Sequence, residues 1–156
     1  MTTKELEFAF PARAEPAWSP KVDRWYQLDA YAYGLAEAYE QWKGSLGGEK
    51  PSMIVLASPG ASNETDRQFA QSGGTSPAKF VHTLPNVRSS SLCQVMGWAG
   101  PVLCLQRDPE TLNHALTEAE ALVGDEFPVV WVLSVGREAS GRYRATGNFL
   151  RKGDSK

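Results

Sequence analysis

The chain has 156 residues, of which 42% are hydrophobic and 22% are charged, a composition typical of one globular domain. It carries 16 lysines and arginines against 18 aspartates and glutamates, and this net charge of -2 argues against a general nucleic-acid binder. Two cysteines are too few for a disulfide framework or a four-ligand zinc site, so we expect reduced thiols and no metal.

Two periodicities follow one another in the first third of the chain. Alternating apolar residues predict a short strand over residues 6–10, and prolines then exclude regular structure until about Lys21. From Val22 the apolar residues recur at intervals of three and four, which predicts one long helix that ends at the glycines after Trp42. The stripe consists of Trp25, Leu28, Ala32, Leu35, Tyr39 and Trp42.

Short apolar runs predict three buried strands in the rest of the chain. They are Met53–Ala57, Val102–Leu105 and residues 129–133. A last edge strand is predicted over residues 142–149, after a polar turn. Helices are predicted over residues 63–69, 80–84, 89–96 and 108–123. The last of these has Asp108 as its N-cap and Pro109 at its first helical position.

Strands that alternate with helices of this length predict an α/β fold with a mixed, mostly parallel sheet and helices on both faces. We expect one domain over residues 1–156, with a core from about residue 5 to 150 and a flexible tail over 151–156. The N-terminal residues carry acids where a signal peptide is basic, and no run of ~18 apolar residues occurs. We therefore expect a cytoplasmic protein that does not enter the membrane.

Several short motifs occur in the order found in one enzyme family. Ser76-Pro77, Pro85-Asn86 and a Gly-x-x-Gly-Pro turn at residues 97–101 resemble the N-terminal half of the β-ketoacyl synthases of the thiolase superfamily. Residues 23–28 resemble the first helix start of that family, and residues 53–58 resemble its strand and turn. The resemblance implies one half of the three-layer thiolase-like fold, with a five-stranded sheet.

The catalytic chemistry of the family does not carry over. In the register of the Gly-Pro turn, the position of the family's catalytic cysteine is taken by Pro109, between Asp108 and Glu110. Proline has no nucleophile, and two acids would oppose a thiolate. The family's later half, with two histidines and a lysine, would lie beyond Lys156. We therefore expect a protein that is not an enzyme, with no catalytic residues and no cofactor.

Other candidates are interpreted as structural. The serines at residues 89–91 resemble a run that follows the family's cysteine, but they precede the Gly-Pro turn, so we expect them on a helix surface. Gln106 lies three positions before the nucleophile position and is discounted as a replacement for it. Cys104 is expected to pack as a small apolar residue, and His114 to lie on a helix surface.

The first hypothesis is a non-catalytic structural or docking subunit of a fatty-acid or polyketide-type pathway. Members of the family pair through the strand before the nucleophile, so the resemblance implies a homodimer, or a heterodimer with a true ketosynthase, through an apolar strand buried on both faces. Its residues are Val102, Leu103, Cys104 and Leu105. A basic C-terminal patch is predicted to bind an acidic partner such as acyl carrier protein. Its residues are Arg142, Arg144, Arg151 and Lys152.

Two alternatives stay open on the sequence alone. One is an acyl-thioester hydrolase or transferase that uses Cys93 or Ser91 together with His82. The other is a plain protein-interaction domain without a link to acyl chemistry. Turnover of acyl thioesters separates the first alternative from the docking subunit, and titration with an acidic carrier protein separates the second.

Overall fold

A mixed β-sheet organises the chain in the computed structural model, which describes residues 1–58, 63–75, 77, 85–106 and 110–154. Five strands form one sheet in the spatial order β1-β5-β4-β2-β3. They are β1 (Thr2–Phe8), β2 (Met53–Ala57), β3 (Val102–Leu105), β4 (Val129–Arg137) and β5 (Tyr143–Arg151).

The two halves of the sheet differ in strand direction. The apolar strand β2 pairs in parallel with both β3 and β4, whereas β5 pairs antiparallel with both β4 and β1. The predicted mixed α/β sheet is confirmed, although half of its pairings, rather than a minority, are antiparallel. The prediction of β5 as an edge strand is wrong, because the N-terminal strand adds to its outer side. The edges are β1 and β3.

Four α-helices accompany the sheet in the described part of the chain. They are α1 (Ala30–Trp42), α2 (Asn63–Gln71), α3 (Ser90–Met96) and α4 (Thr111–Leu122). Short 3-10 turns cover Ser19–Lys21, Trp25–Gln27 and Pro85–Ser89. The predicted helix over residues 80–84 lies outside the described residues.

Helix α1 begins eight residues later than its apolar stripe suggests. The Asp29 side chain accepts a 2.7 Å hydrogen bond from the Ala32 backbone N–H and so caps the helix start. Before it, Arg24 takes a left-handed conformation with φ 54°, which interrupts any continuous helix. Helix α4 begins at Thr111, after Glu110. The predicted N-cap Asp108 and the predicted first helical residue Pro109 lie outside the described residues.

Helices cover both faces of the sheet, as expected. The face toward α1 and α3 carries the larger core, which includes the fully buried side chains of Ile54, Trp131 and Phe149. The opposite face packs Val55, Val130 and Val132 against Ala115 and Ala119 of α4. Burial of large apolar side chains at ~1.5–3 kcal/mol each makes these two layers the main source of stability.

The Gly-x-x-Gly-Pro turn has a structural reason for each glycine. Gly97 ends α3 in the left-handed conformation, with φ 61°. Gly100 lies under the Trp98 indole, and a Cβ there would be 2.3 Å from its Cζ2 atom. The Trp98 indole N–H donates a 3.0 Å hydrogen bond to the Pro51 carbonyl, which ties the turn to the start of β2. The turn thus positions β3 beside β2.

The serine run of residues 89–91 is not a surface feature, contrary to the prediction. Ser89 and Ser91 are buried, and Ser90 is half-buried. The Ser91 hydroxyl donates a 2.8 Å hydrogen bond to the Ala32 carbonyl of α1. This bond joins α3 to α1, so Ser91 holds two helices together. In the described part of the chain, no helix is long and apolar enough to span a membrane.

Candidate functional site

The carboxyl ends of the parallel strands β2 and β4 form the place where open α/β sheets usually bind ligands. In this chain the side chain of Tyr31, from α1, lies at the carboxyl end of β2. Its hydroxyl donates a 2.8 Å hydrogen bond to the carbonyl of Ala57, the last residue of β2, and lies 3.5 Å from the Leu133 carbonyl of β4. The buried Tyr31 ring therefore lies where β2 ends, beside the middle of β4.

A buried arginine covers the Tyr31 ring. The guanidinium carbon of Arg88 lies 5.1 Å from the ring centroid, and its Nη1 donates a 2.9 Å hydrogen bond to the hydroxyl of Ser58, directly after β2. Nε of Arg88 lies 3.2 Å from Oδ2 of Asp29. The Arg88 side chain thus joins the end of β2 to the start of α1, because Asp29 is also the cap of that helix.

The electrostatics of this cluster favour protonated side chains. Burial raises the pKa of Tyr31 far above its usual range, and the nearby Arg88 cation offsets only part of this effect. Burial also raises the pKa of the Cys104 thiol on the neighbouring strand β3, again partly offset by Arg88. A protonated phenol and a protonated thiol are weaker nucleophiles than their anions.

The structure describes two of the three residues of the predicted hydrolase alternative. His82 lies outside the described residues. Ser91 is fully buried, and its hydroxyl is bound to the Ala32 carbonyl. Cys93 is half-buried, and burial raises the pKa of its thiol. His114 is 33% exposed on α4, with Nε2 3.9 Å from the Glu118 carboxylate.

The nucleophile position predicted from the family's register stays a prediction. Pro109 and Asp108 lie outside the described residues, and Glu110, which is exposed, directly precedes α4. The described residues contain no group of three or more histidine, cysteine, aspartate or glutamate side chains that could hold a metal ion.

In the described part of the chain, no strand pairs with the outer side of β3, which forms an open edge of the sheet. All four of its residues are half-buried, so the expectation that the strand is buried on both faces is wrong for the isolated chain. The backbone N–H groups of Ile54, in β2, and of Ser58, directly after it, donate to the carbonyls of Pro101 and Leu105. The backbone groups of these two residues therefore face β2. In a parallel ladder alternate residues face the same neighbour, so the N–H and C=O groups of Val102 face away from β2.

The two edges of the sheet differ in charge. Strand β1 carries Lys4, Glu5 and Glu7, and charged side chains are a common protection against unwanted pairing at a sheet edge. Strand β3 carries no charged residue. An uncharged edge strand is a surface suited to pairing with another chain.

The four cations of the predicted basic patch all contact carboxylates of the same chain. Arg144 bonds to Glu7 at 2.8 Å and lies within 3.4 Å of Glu5 and Glu138. Arg142 lies 4.0 Å from Glu7. Arg151 forms a two-bond contact with Glu49, at 2.7 and 2.9 Å, and Lys152 pairs with Asp125. An acidic partner would compete with five carboxylates, so binding through this patch stays a prediction.

Comparisons with known proteins support the fold. The chain matches a structure described as a ketosynthase (ApeO) in complex with its chain length factor (ApeC) from Xenorhabdus doucetiae, with a TM-score of 0.69 and 16% sequence identity. The match covers 84% of this chain and 60% of that chain, so this chain spans less than two thirds of the other's length. No protein-family model matches the sequence, and no curated protein matches it. The chain has a ketosynthase-like α/β fold.

The ion pair and phenol at the end of β2 were missed by the sequence-based predictions. Arg88 follows a turn and precedes a serine run, a setting typical of an exposed residue. One signal was present, because aspartate is a preferred N-cap residue and Asp29 is directly followed by a run of helix-compatible residues. Its second partner, 59 positions away at Arg88, has no local signature in the sequence.

Proposed function

We propose that this chain is a non-catalytic subunit of ketosynthase-like fold that pairs through strand β3 with a true ketosynthase or with a second copy of itself. Its pathway is of the fatty-acid or polyketide type. The chain contributes structure and docking, and the partner or a neighbouring enzyme contributes the chemistry.

The open edge of β3 carries this proposal. The backbone groups of Val102 face away from β2, and the strand bears no charge that would oppose a second strand. The strand at the opposite edge, β1, is charged, so the two edges of one sheet can be compared as surfaces for pairing. A partner strand beside β3 would extend the sheet and cover the four half-buried side chains.

The buried cluster at the end of β2 supports the non-catalytic part. Tyr31 and Arg88 occupy the carboxyl end of β2, and the nearby Cys104 thiol has a raised pKa. The fold likeness to a ketosynthase paired with its chain length factor agrees with a subunit that works beside a synthase. The hydrolase alternative lacks comparable support, because the Ser91 hydroxyl is buried and bound to a backbone carbonyl.

Light scattering tests the pairing. We expect the mass of a dimer, or a ketosynthase that co-purifies, and loss of the complex in Leu103→Lys, which places a charge on the open edge. The matched control is Thr2→Lys on β1, which is expected to leave the complex unchanged. A monomer at high protein concentration with no co-purifying synthase would exclude the proposal. Circular dichroism on both variants separates loss of pairing from loss of fold.

Acyl-thioester turnover tests the non-catalytic part. The chain alone is expected to release no thiol from a panel of acyl thioesters of different chain lengths. Turnover that disappears in Cys93→Ala or His82→Ala would favour the hydrolase alternative instead.

A further inference from the structure

A long stretch of the chain carries no charge. Residues 89–106, which include α3, the Gly-x-x-Gly-Pro turn and β3, contain no aspartate, glutamate, lysine, arginine or histidine. At the chain's average of 22% charged residues, a stretch of this length would carry about four. Burial does not explain the absence, because Gln94 and residues 99–101 are exposed.

Helix α3 differs in charge from the other helices of the described chain. Each of α1, α2 and α4 carries at least two acidic residues, whereas α3 carries no charged residue. Its outward side consists of Ser90, Cys93 and Gln94, which share one helix face and are half-buried or exposed. The solvent side of a surface helix ordinarily carries charged residues, whereas the core of a protein interface is depleted in them.

Helix α3 lies next to the open edge at β3. The turn over residues 97–101 leads directly from α3 to β3, and the 3-10 turn Pro85–Ser89 contacts both elements. The opposite side of α3 packs against α1, where the Ser91 hydroxyl binds the Ala32 carbonyl. We call β3 together with the outward side of α3 the uncharged surface.

Strand β3 alone is small for a stable interface. Its four residues extend over roughly 13 Å, whereas a stable complex buries ~800 Å² on each partner. The outward side of α3 adds area beside the strand, so the uncharged surface as a whole is better matched to a stable interface than the strand by itself.

We propose that the partner at β3 is a second copy of this chain, related by a two-fold axis beside β3, with the uncharged surface of each copy as the interface. This inference rests on the proposed pairing through β3 and names its partner. An axis perpendicular to the sheet makes the two β3 strands antiparallel, and it places α3 of both copies on the same face of one continuous sheet.

The missing charge favours a second copy over a different protein. Residues near a two-fold axis lie beside their own counterparts, so a charged side chain there meets the same charge. A surface without charged residues faces itself without this repulsion. A partner of different sequence is instead selected by opposite charges across the interface and by like charges that oppose self-pairing. The uncharged surface carries neither.

Charge complementation tests the two-fold arrangement. In antiparallel β3 strands centred on each other, Leu103 lies opposite or diagonal to its counterpart, within ~8 Å. The chain alone is expected to be a dimer in light scattering, and Leu103→Lys and Leu103→Glu are each expected to be monomers. An equimolar mixture of the two variants, one labelled with ¹⁵N, is expected to form mixed dimers in native mass spectrometry. Variants that are folded by circular dichroism but stay monomeric when mixed would overturn the two-fold arrangement.

Gln94→Lys tests the contribution of α3 at an exposed position. We expect the Kd of the dimer to rise at least about tenfold, because like charges then meet at the interface. The matched control is Gln41→Lys, the same substitution at an exposed position of α1, which is expected to leave the Kd unchanged. Equal Kd values for the two variants would overturn the assignment of α3 to the interface.

The mass of the unmodified chain separates this inference from the proposed function. A chain that is a monomer alone but pairs with a ketosynthase through β3 would overturn the second copy and leave pairing through β3 intact. A monomer that pairs with neither would overturn both. If the Leu103 variants fail to fold, the mass of the unmodified chain and the comparison of Gln94→Lys with Gln41→Lys decide.

Discussion

Arg88 and Asp29 form an ion pair inside the protein, with 3.2 Å between Nε of Arg88 and Oδ2 of Asp29. The two side chains are 5% and 12% exposed, so neither charge is well solvated. The pair links the turn before α3 to the cap of α1, and Arg88 also binds Ser58 after β2. Three segments far apart in the sequence therefore meet at one charge pair.

Removal of one partner of this pair should be costly. Arg88→Met keeps much of the side-chain volume but leaves the Asp29 carboxylate without its cation. We expect the free energy of unfolding to fall by ~3–5 kcal/mol, measured by urea denaturation. The control is Arg67→Met at an exposed position of α2, where a change within about 0.5 kcal/mol is expected.

The double variant Arg88→Met/Asp29→Asn tests whether the loss arises from charge. The asparagine keeps a side-chain oxygen that can accept from the Ala32 N–H, so the helix cap is retained. We expect the double variant to be more stable than the sum of the single losses predicts. Strictly additive losses would contradict an energetic coupling between the two residues.

Gly100 should not tolerate a side chain. A methyl group there would lie 2.3 Å from Cζ2 of Trp98, so the indole would have to move and lose its 3.0 Å bond to Pro51. We expect Gly100→Ala to lower the free energy of unfolding by ~1–3 kcal/mol. Gly44→Ala is the comparison, because nothing lies within 4 Å of the added atom. Equal stability of both variants would show that the turn adapts without strain.

Tyr31 should make stability fall at alkaline pH. Burial raises its pKa in the folded state, so above pH ~10 the unfolded chain releases this proton while the folded chain retains it. The contribution of Tyr31 to stability is therefore fully present below the pKa that tyrosine has in the unfolded chain. It is lost as the pH rises toward the pKa of Tyr31 in the folded protein. Tyr31→Phe should reduce the slope of the unfolding free energy with pH in this range. If the slope of the unfolding free energy with pH is unchanged in Tyr31→Phe, the Tyr31 hydroxyl is exposed to water in the folded protein.

The two thiols should react slowly. Burial raises the pKa of both Cys93 and Cys104, so less thiolate is present at neutral pH than in the unfolded chain. In the single-thiol variants Cys93→Ser and Cys104→Ser, alkylation by iodoacetamide at pH 7 should be slower than after unfolding in urea. A thiol that reacts faster in the folded protein would be an activated nucleophile, in conflict with a non-catalytic role.

Local sequence patterns sufficed for the central strands. Met53–Ala57 and Val102–Leu105 have the predicted bounds, because continuous runs of apolar strand formers are a strong local signal. The spatial order of the strands in the sheet could not be predicted from local patterns. Strand β5 becomes internal because the N-terminal strand β1 pairs with it, from Thr2 opposite Phe149 to Phe8 opposite Tyr143. Such pairing between chain ends has no local signature.

The start of α1 shows how a long apolar stripe misleads. Trp25 and Leu28 continue the spacing of the helix and pack against the same core, yet they precede it. The cap at Asp29 and the left-handed Arg24 decide where the helix begins. The polar cluster at Arg88 was not predictable, because it depends on contacts between segments and on burial of a residue type that is usually exposed.

Amide hydrogen exchange at Val102 tests the central claim most directly. Its N–H faces away from β2, and in the described part of the sheet no strand lies on that side, so a partner strand would protect it. In the protein purified from its natural host, at high concentration, we predict that the Val102 amide exchanges about as slowly as that of Val55 and that Leu103→Lys removes this protection. Fast exchange at Val102 beside slow exchange at Val55 would contradict pairing through β3.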